Sequence, residues 1–298
     1  MEGYPTTSGE GEAIDLRERR PLAGIRTDTL DRAESVIEAL EALVQLHPEF
    51  PALRCLSAER VEQMVTLGEL WSNARRFQAH LTAAGAEPDR IIILAMSTGP
   101  DLVAAYLGAL LAGGIPGLVA SPTNRFADRQ RYTERVTDIL RNSGARVLCC
   151  DDGARALFTE VAAQREAPIS ILSPELAAQP ISDAPIVPRR PTDLASIQYS
   201  SGTTAAPKGV LLTQGAIIEN LRAMRDALRF DEKDVSVNWI PLYHDMGLIG
   251  ASLLPLLIGS PTVLIPTMAF MKEPALWLWA VHHYGGTISW APNFAYTI

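Results

Sequence analysis

Residues 90–119, RIIILAMSTGPDLVAAYLGALLAGGIPGLV, carry two apolar strand-like runs with a helix-like segment between them. The runs cover residues 90–96 and 115–119, and neither alternates between polar and apolar side chains. Continuous apolar runs of this kind are typical of strands that are buried on both faces, as in parallel sheets. With a helix predicted over residues 101–112, the stretch indicates a strand–helix–strand unit of an α/β fold.

The same alternation extends along the chain on both sides of this stretch. Upstream, the predicted elements are a helix over 29–46, strands over 52–56 and 61–66, and a helix over 67–83. Downstream, they are helix 131–142, strand 146–150, helix 154–164, helix 214–228, strand 235–239, a helix within 247–258, strand 262–266, helix 274–283 and strand 286–290. We therefore expect two similar α/β lobes with mostly parallel sheets flanked by helices.

A proline-rich segment divides the predicted elements into two groups. Residues 173–193 contain five prolines and few large apolar residues. This composition favours an extended connector, and a mobile linker between independent domains is the alternative. The predicted organisation is a disordered polar lead over residues 1–27, a first lobe over 28–172, the connector over 173–193 and a second lobe over 194–298.

Composition limits the classes of function. With 298 residues and 47% hydrophobic content, the chain can bury a large core. Its net charge of −8 argues against a general nucleic-acid binder. The three cysteines, Cys55, Cys149 and Cys150, lie in apolar surroundings, which disfavours a disulfide framework and favours a reducing cytoplasm. The Cys149-Cys150 pair is expected to serve strand packing.

One apolar stretch, residues 246–265, is long enough to cross a membrane, but prolines and glycines interrupt it. The interruptions favour a helix, a turn and a strand within a soluble core. The first residues of the chain are polar and charged and show no signal-peptide pattern. We therefore expect a cytoplasmic protein without a transmembrane segment.

Residues 199–213, YSSGTTAAPKGVLLT, are the stretch that is most informative about chemistry. The backbone at Gly202 can approach an anion closely, the neighbouring hydroxyls and turn N–H groups can converge on phosphate oxygens, and Lys208 adds a positive charge. The stretch is not a Walker A loop, in which Gly-Lys-Ser/Thr leads directly into a helix. On composition alone, a solvated Ser/Thr/Gly turn is the commoner interpretation.

The same stretch resembles the phosphate-binding loop of the adenylate-forming superfamily, whose usual form is Ser-Gly-Thr-Thr-Gly-x-Pro-Lys-Gly. Ala205 stands where the family usually has glycine. The resemblance implies ATP as the cofactor, with Mg²⁺ arriving with ATP and held mainly by phosphate oxygens. It implies no metal site made by the protein itself, and the adjacent His282 and His283 point apart on a helix. The implied ATP contacts are Ser200, Ser201, Gly202, Thr203, Thr204, Lys208 and Gly209.

Two further blocks narrow the resemblance. Residues 239–250, WIPLYHDMGLIG, resemble the family's next motif, roughly Pro-Leu-x-His-x-x-Gly, although His244 taken alone is more typical of a structural histidine. Together with residues 291–296, APNFAY, this block is similar to the fatty acyl-AMP ligases, which activate a fatty acid with ATP and transfer it to a carrier-protein thiol. The resemblance implies His244 as the catalytic residue, beside the substrate carboxylate. It implies a substrate pocket formed by Tyr243, Asp245, Met246, Gly247, Asn293, Phe294 and Tyr296. For Phe294 and Tyr296, ordinary core packing is the alternative.

The resemblance covers most of residues 28–298 and implies the front part of the family's N-terminal domain. No stretch matches the later blocks of the family, which usually contact adenine, magnesium and ribose or supply the catalytic lysine. We therefore expect an incomplete fragment with weak adenylation on its own. Three hypotheses follow: a fatty acyl-AMP ligase fragment that serves an acyl carrier protein, a ligase that uses coenzyme A as acceptor, and a catalytically idle binding or scaffolding module.

Overall fold

The computed structural model describes residues 12–122, 129–163, 167–200 and 208–297. These residues form two compact units, and each unit contains one sheet. The first unit combines the described parts of Met1–Trp71, Thr98–Pro100 and Ile218–Ile298. The second unit combines those of Ser72–Ser97 and Asp101–Ile217.

Strands and helices alternate along most of the described chain. In chain order the strands are β1 (Glu12–Ala13), β2 (Leu53–Leu56), β3 (Val61–Val65), β4 (Ile91–Ala95), β5 (Ile115–Leu118), β6 (Val147–Cys150), β7 (Ser170–Leu172), β8 (Leu194–Ser200), β9 (Lys208–Thr213), β10 (Ser236–Asn238) and β11 (Thr262–Leu264). The α-helices are α1 (Thr29–Arg32), α2 (Val36–Leu46), α3 (Leu67–Ala83), α4 (Pro100–Leu111), α5 (Arg129–Ser143), α6 (Arg155–Ala163), α7 (Pro174–Ala177), α8 (Gln214–Leu228), α9 (Leu254–Leu257), α10 (Thr267–Lys272) and α11 (Ala275–Tyr284). A π-helix spans Met246–Leu253, and short 3₁₀ turns span Asp152–Ala154 and Asn293–Tyr296.

The sheet of the second unit, sheet 2, has the strand order β7-β6-β4-β5-β8-β9. Its pairs are parallel except for β8 and β9, which form an antiparallel hairpin. The strands β4, β5 and β6 are buried along almost their whole length, as their continuous apolar runs predict. The pair Cys149-Cys150 ends β6 and packs in the core, and Cys55, Cys149 and Cys150 form no disulfide. The predicted parallel α/β architecture is therefore confirmed.

The sheet of the first unit, sheet 1, has the order β1-β3-β2-β11-β10. The strands β2, β11 and β10 are parallel, whereas β3 and β1 are added antiparallel at one side. Thus β2, from early in the chain, is hydrogen-bonded to β11, from late in the chain. The lobes expected over 28–172 and 194–298 must be corrected accordingly, because pairing between distant segments leaves no local sequence pattern.

The start of the described chain also differs from expectation. The sequence predicts a disordered lead over residues 1–27. The described part of this segment begins with β1, which pairs with β3. Leu16 is buried in the core of the first unit, and the backbone N–H groups of Arg20 and Leu22 donate to carbonyl oxygens of α11. Residues 12–27 are therefore structured, because one buried leucine and several backbone hydrogen bonds hold a segment whose overall composition is polar.

The helix predicted over 29–46 is divided into α1 and α2 because Ser35 begins a new helix. The Ser35 Oγ accepts a hydrogen bond from the Glu38 N–H at 3.1 Å, and the Glu38 carboxylate accepts one from the Glu34 N–H at 2.7 Å. This arrangement closely resembles a capping box, which satisfies N–H groups that have no partner within the helix. The hydrogen bonds of this cap thus start a second helix within a stretch whose apolar residues repeat with one continuous helical period.

The proline-rich segment 173–193 belongs entirely to the second unit. After α7 it contains no further helix or strand until β8. The Pro185 carbonyl oxygen accepts a hydrogen bond from Gln78 Nε2 at 2.7 Å, and the Val187 N–H donates to the Leu111 carbonyl oxygen at 3.0 Å. After α7 the segment thus packs onto the second unit before it enters β8.

Two predictions near the end of the chain meet different outcomes. The stretch 246–265 folds as the expected helix, turn and strand, comprising the π-helix, α9 and β11. The strand predicted over 286–290 is wrong, because this segment makes a single bridge from Ile288 to Ser236. Sequence reasoning also missed α10 and β7. No helix in the described part of the chain is long and apolar enough to cross a membrane.

Candidate functional site

Residues 199–213 begin at the carboxyl end of β8 and continue into β9, which pairs with β8 in sheet 2. Strand register places Ser200 opposite Lys208 and Tyr199 opposite Gly209, so the two ends of the loop are adjacent. The predicted ATP contacts Ser201, Gly202, Thr203 and Thr204 lie outside the described residues. The loop leaves β8 at its carboxyl end, and in parallel sheets ligands bind at the carboxyl ends of the strands.

Two glycines make room for the side chains that anchor this hairpin. A Cβ atom at Gly209 would lie 2.5 Å from Ile197 Cδ1, and one at Gly117 in β5 would lie 2.7 Å from Ile197 Cγ2 and 3.0 Å from Tyr199 Cε2. Such distances are well inside van der Waals contact. Gly209 therefore has a packing role that is independent of any phosphate contact. Burial raises the pKa of Tyr199 to about 12, so its phenol is neutral at physiological pH.

Lys208 begins the edge strand of sheet 2 and is exposed. The following Val210 and Leu211 are each about half exposed, so the amino half of β9 faces solvent on both sides. An ammonium group on a long stem at the end of such a strand can reach an anion bound at the loop. The hairpin register therefore places Lys208 opposite Ser200, where the two described strands enter and leave the predicted loop.

A polar network that sequence reasoning missed ties three loops together at the same edge of sheet 2. The Asp151 carboxylate, directly after β6, accepts hydrogen bonds from the Ser97 N–H at 2.9 Å and the Ser97 Oγ at 2.8 Å. It also accepts one from the Ser121 Oγ at 2.7 Å. Ser97 follows β4 and Ser121 follows β5, so one carboxylate links the carboxyl ends of three strands. A polar residue directly after each of several buried strands is the signal that could have revealed it.

In the first unit, the motif around His244 follows the carboxyl end of β10. The His244 N–H donates to the Pro241 carbonyl oxygen at 3.0 Å, and the His244 carbonyl oxygen accepts from the Leu248 N–H at 2.9 Å. His244 therefore lies on a closed turn that leads into the π-helix. Its side chain is 66% exposed, and its Nδ1 lies 3.9 Å from the Asp245 Oδ1. An imidazole in this position can accept or donate a proton in contact with a ligand.

The other predicted pocket residues of this motif divide into exposed and buried positions. Tyr243 and Met246 are each about 40% exposed, and the Tyr243 ring centroid lies 5.8 Å from that of His244. The Asp245 carboxylate accepts a hydrogen bond from the Met246 N–H at 2.7 Å, at the start of the π-helix. Gly247 is buried, and a Cβ atom there would lie 2.3 Å from the Pro241 carbonyl oxygen. Gly247 thus permits close backbone packing and presents no side chain to a pocket.

The APNFAY segment meets the same motif in the first unit. Asn293–Tyr296 forms a 3₁₀ turn in which Asn293, Phe294 and Tyr296 are exposed and Ala295 is buried. The Phe294 ring contacts Trp239 edge-on at 6.1 Å between centroids. Trp239 also stacks on Phe270 at 3.7 Å. The two predicted pocket segments, distant in sequence, therefore share an aromatic cluster, with Phe294 at its exposed side.

A second ring contact extends this cluster, and two hydrogen bonds fix the orientation of the Trp277 ring. The Tyr296 ring lies 5.6 Å from that of Trp277 in α11, again edge-on. The Trp277 indole N–H donates to the Ser289 Oγ at 2.7 Å, which in turn donates to the Val237 carbonyl oxygen at 2.6 Å. Trp239 and Trp277 are thus buried core residues, whereas Phe294 and Tyr296 are exposed at the side of the cluster.

The described residues contain no group of three or more His, Cys, Asp or Glu side chains placed to hold a metal ion. His282 is exposed and His283 is buried in the last turn of α11, so the two do not share a site. The described chain offers no carboxylate cage that would fit Mg²⁺ by itself.

Comparison with known proteins agrees with the motifs and the fold. The sequence model of the AMP-binding enzyme family matches residues 40–297. A putative acyl-CoA synthetase of Caulobacter vibrioides is 32% identical over 247 residues, which cover 83% of this chain and 42% of that protein. The long-chain-fatty-acid–AMP ligase FadD23 of Mycobacterium tuberculosis is 32% identical over 280 residues, covering 89% of this chain and 46% of that protein. This chain thus spans less than half the length of these curated relatives.

The solved structures that match this chain agree with the sequence comparison. The fatty acyl-adenylate ligase of L. pneumophila, in complex with acyl adenylate and pyrophosphate, matches with a TM-score of 0.77 at 25% identity, over 91% of this chain and 46% of that one. Further matches include adenylation domains at lower identity, which share the fold. The resemblance and the fold class predicted from the sequence are confirmed. The chain belongs to the AMP-binding enzyme family.

Proposed function

We propose that this chain is part of an enzyme that uses ATP to convert a fatty-acid carboxylate into an acyl-adenylate. The observation that carries the proposal is the combination of the β8–β9 hairpin, which sets Lys208 opposite Ser200 where the hydroxyl-rich sequence begins, with relatives that are named fatty-acid–AMP ligases. The solved relative that binds acyl adenylate and pyrophosphate adds support.

The hairpin loop would bind the phosphates that leave. ATP supplies an electrophilic phosphorus and a pyrophosphate leaving group when bound. Because the attacking carboxylate and the triphosphate are both anionic, the protein must offset their charge and hold them in line. Lys208 would provide that charge, and Ser200, Ser201, Gly202, Thr203, Thr204 and Gly209 would surround the β- and γ-phosphates. Mg²⁺ would accompany ATP and be held mainly by phosphate oxygens, in keeping with its preference for oxygen ligands.

The turn after β10 and the APNFAY segment would receive the fatty acid. His244 is exposed on its turn and would stand beside the substrate carboxylate. Tyr243, Met246, Phe294 and Tyr296 offer exposed apolar surface for the chain, with Asp245 and Asn293 as the polar members of the same set. Gly247 would contribute by holding the turn, because its missing side chain allows the close backbone contact.

The acceptor of the acyl group is proposed to be a carrier-protein thiol. A relative from Teredinibacter turnerae that is 40% identical over 109 residues, 37% of this chain and 17% of that protein, is named a medium-chain-fatty-acid–[acyl-carrier-protein] ligase. Coenzyme A is the second candidate, because another relative is named a putative acyl-CoA synthetase. Supplying ATP and a fatty acid with either acceptor, and measuring the thioester by mass spectrometry, distinguishes the two.

Calorimetric titration with a non-hydrolysable ATP analogue and Mg²⁺ tests the nucleotide site. We expect Lys208→Ala to weaken binding by about tenfold or more, because a charge-assisted contact to phosphate is lost. Lys233→Ala is the matched control, since Lys233 lies on a turn of the first unit after α8. Equal affinity in both variants, or no binding by the unsubstituted protein, would contradict the proposal.

A further inference from the structure

Asn238, the last residue of β10, is fully buried and lies against both ends of the turn that carries His244. Its Oδ1 accepts a hydrogen bond from the Ile240 N–H at 2.8 Å. Its Nδ2 lies 3.3 Å from the Ile240 carbonyl oxygen and 3.4 Å from the Gly247 carbonyl oxygen. An amide in a hydrophobic core is costly unless it is hydrogen-bonded, so the turn that it contacts accounts for its presence there.

The segment between these contacts is already a compact structure. The His244 N–H closes the turn on the Pro241 carbonyl oxygen at 3.0 Å, and the backbone at Gly247 returns so closely that it has no space for a Cβ atom. Asn238 thus joins the first and the last peptide groups of residues 240–247. Any displacement of the turn relative to sheet 1 must break the 2.8 Å bond or separate the amide from Gly247.

Buried polar side chains on β10 contact the π-helix at two levels. Near its far end, the Ser236 Oγ donates to the Ala251 carbonyl oxygen at 3.0 Å. Near its beginning, Asn238 Nδ2 contacts the Gly247 carbonyl oxygen, and it lies 3.5 Å from the Ser252 Oγ. π-Helical segments leave irregular backbone geometry and are frequent at functional sites. Asn238 therefore contacts Gly247, at the end of the turn that carries His244, as well as Ser252 further along the π-helix, whereas Ser236 is bonded to Ala251.

We propose that Asn238 is a positioning residue for His244. It fixes the backbone of residues 240–247 against β10, and thereby the place from which the imidazole extends. Asn238 itself is buried and does not touch the ligand. The role assigned to His244 rests on the proposed function, whereas the tie between Asn238 and the turn does not.

Hydrogen exchange measured by mass spectrometry tests the tie directly. Asn238→Leu keeps a similar volume and removes every hydrogen bond of the amide, and Ser236→Ala is the matched control on the same buried strand. We expect exchange in peptides that cover residues 240–248 to accelerate at least about tenfold in Asn238→Leu and to change by less than about twofold in Ser236→Ala. Equal acceleration in both variants would overturn the proposal. If Asn238→Leu does not fold, Asn238→Asp, which retains the acceptor for Ile240, replaces it in the same comparison.

The effect on the His244 imidazole must be measured by a signal that a general loss of stability leaves unchanged. In protein carrying ¹³C-labelled histidine, the His244 signal, assigned with His244→Asn, should shift or broaden in Asn238→Leu and stay in place in Ser236→Ala. An unchanged signal in both variants would contradict the proposal.

A double-mutant cycle with a non-hydrolysable acyl-adenylate mimic completes the test. Asn238→Leu should weaken binding about tenfold in the unsubstituted protein and have little effect in a His244→Ala background, because it acts through that residue. The same fold loss in both backgrounds would refute action through His244. If the unsubstituted protein does not bind the mimic, the proposed function fails, whereas the exchange and NMR comparisons still decide the role of Asn238.

Discussion

Gly247→Ala is the most incisive single change at the turn that carries His244. The added Cβ atom would lie 2.3 Å from the Pro241 carbonyl oxygen and 2.8 Å from the Ile240 carbonyl oxygen. Ordinary van der Waals contact between carbon and oxygen begins near 3.4 Å, so the two backbone segments must separate by about 1 Å. Both obstacles are backbone atoms of a buried turn, and the strain cannot be relieved by rotating a side chain.

Overpacking of this kind typically costs about 1–3 kcal/mol of unfolding free energy. For domains of 150–250 residues, each kcal/mol lowers the melting temperature by roughly 2–4 °C. We therefore expect Gly247→Ala to melt about 2–12 °C lower by circular dichroism and to bind an acyl-adenylate mimic more weakly, since the turn has moved. Gly153→Ala is the control, because no atom lies within 4 Å of its added Cβ. A Gly247→Ala variant with the stability and affinity of the control would contradict this prediction.

Three further predictions concern stability and thiol chemistry. Ser35→Ala removes the cap of α2 and should lower the unfolding free energy in urea by about 1 kcal/mol. Asp151→Ala leaves two serine hydroxyls and a backbone N–H without their shared acceptor, and should cost about 1–3 kcal/mol in the same assay, with exposed Asp183→Ala unchanged. Burial raises the pKa of Cys150 to about 12, above the value of about 9 for an exposed thiol, so its contribution to stability is complete below pH 9 and is lost as the pH rises from 9 towards 12. Urea titrations at pH 8 and pH 10 should therefore show a loss of stability that Cys150→Ala reduces, and a Cys150→Ala variant with the same loss would contradict this.

The sequence predicted the central strands β4, β5 and β6 of sheet 2 because their signals are local. The runs that became β4 and β5 are continuous and apolar, and the helix between them has clear boundaries. Sheet 1 was harder, because β2 pairs with β11 across most of the chain and no local pattern encodes that contact. The early strands β2 and β3 were therefore placed in the wrong lobe, although their positions were predicted.

Errors in individual elements have equally local causes. Ser35 and Glu38 create a helix start that outweighs the apolar period over residues 29–46. The segment around Ile288 has the composition of a strand but makes one bridge, because the Ser289 side chain bonds to Val237 in place of a continued ladder. Side-chain hydrogen bonds of this kind depend on the final packing, which a linear pattern does not contain.

In the candidate site, too, sequence motifs identified some of the residues and missed others. The hydroxyl-rich loop and His244 were identified because the residues around them match known sequence motifs. Asn238 and Asp151 were missed, because a single polar residue at the end of a strand has no signature until its partners are known. Phe294 was found by resemblance, and its contact with Trp239 required the fold.

The claim on which the proposed function depends is that the loop between β8 and β9 grips the phosphates of ATP. A crystal structure of this protein with a non-hydrolysable ATP analogue and Mg²⁺ tests it most directly. We predict phosphate oxygens within hydrogen-bond distance, about 3 Å, of Lys208 Nζ and of the hydroxyls at the hairpin tip. A nucleotide bound elsewhere, or a loop packed inward with the Lys208 ammonium held by neighbouring carboxylates, would contradict the account.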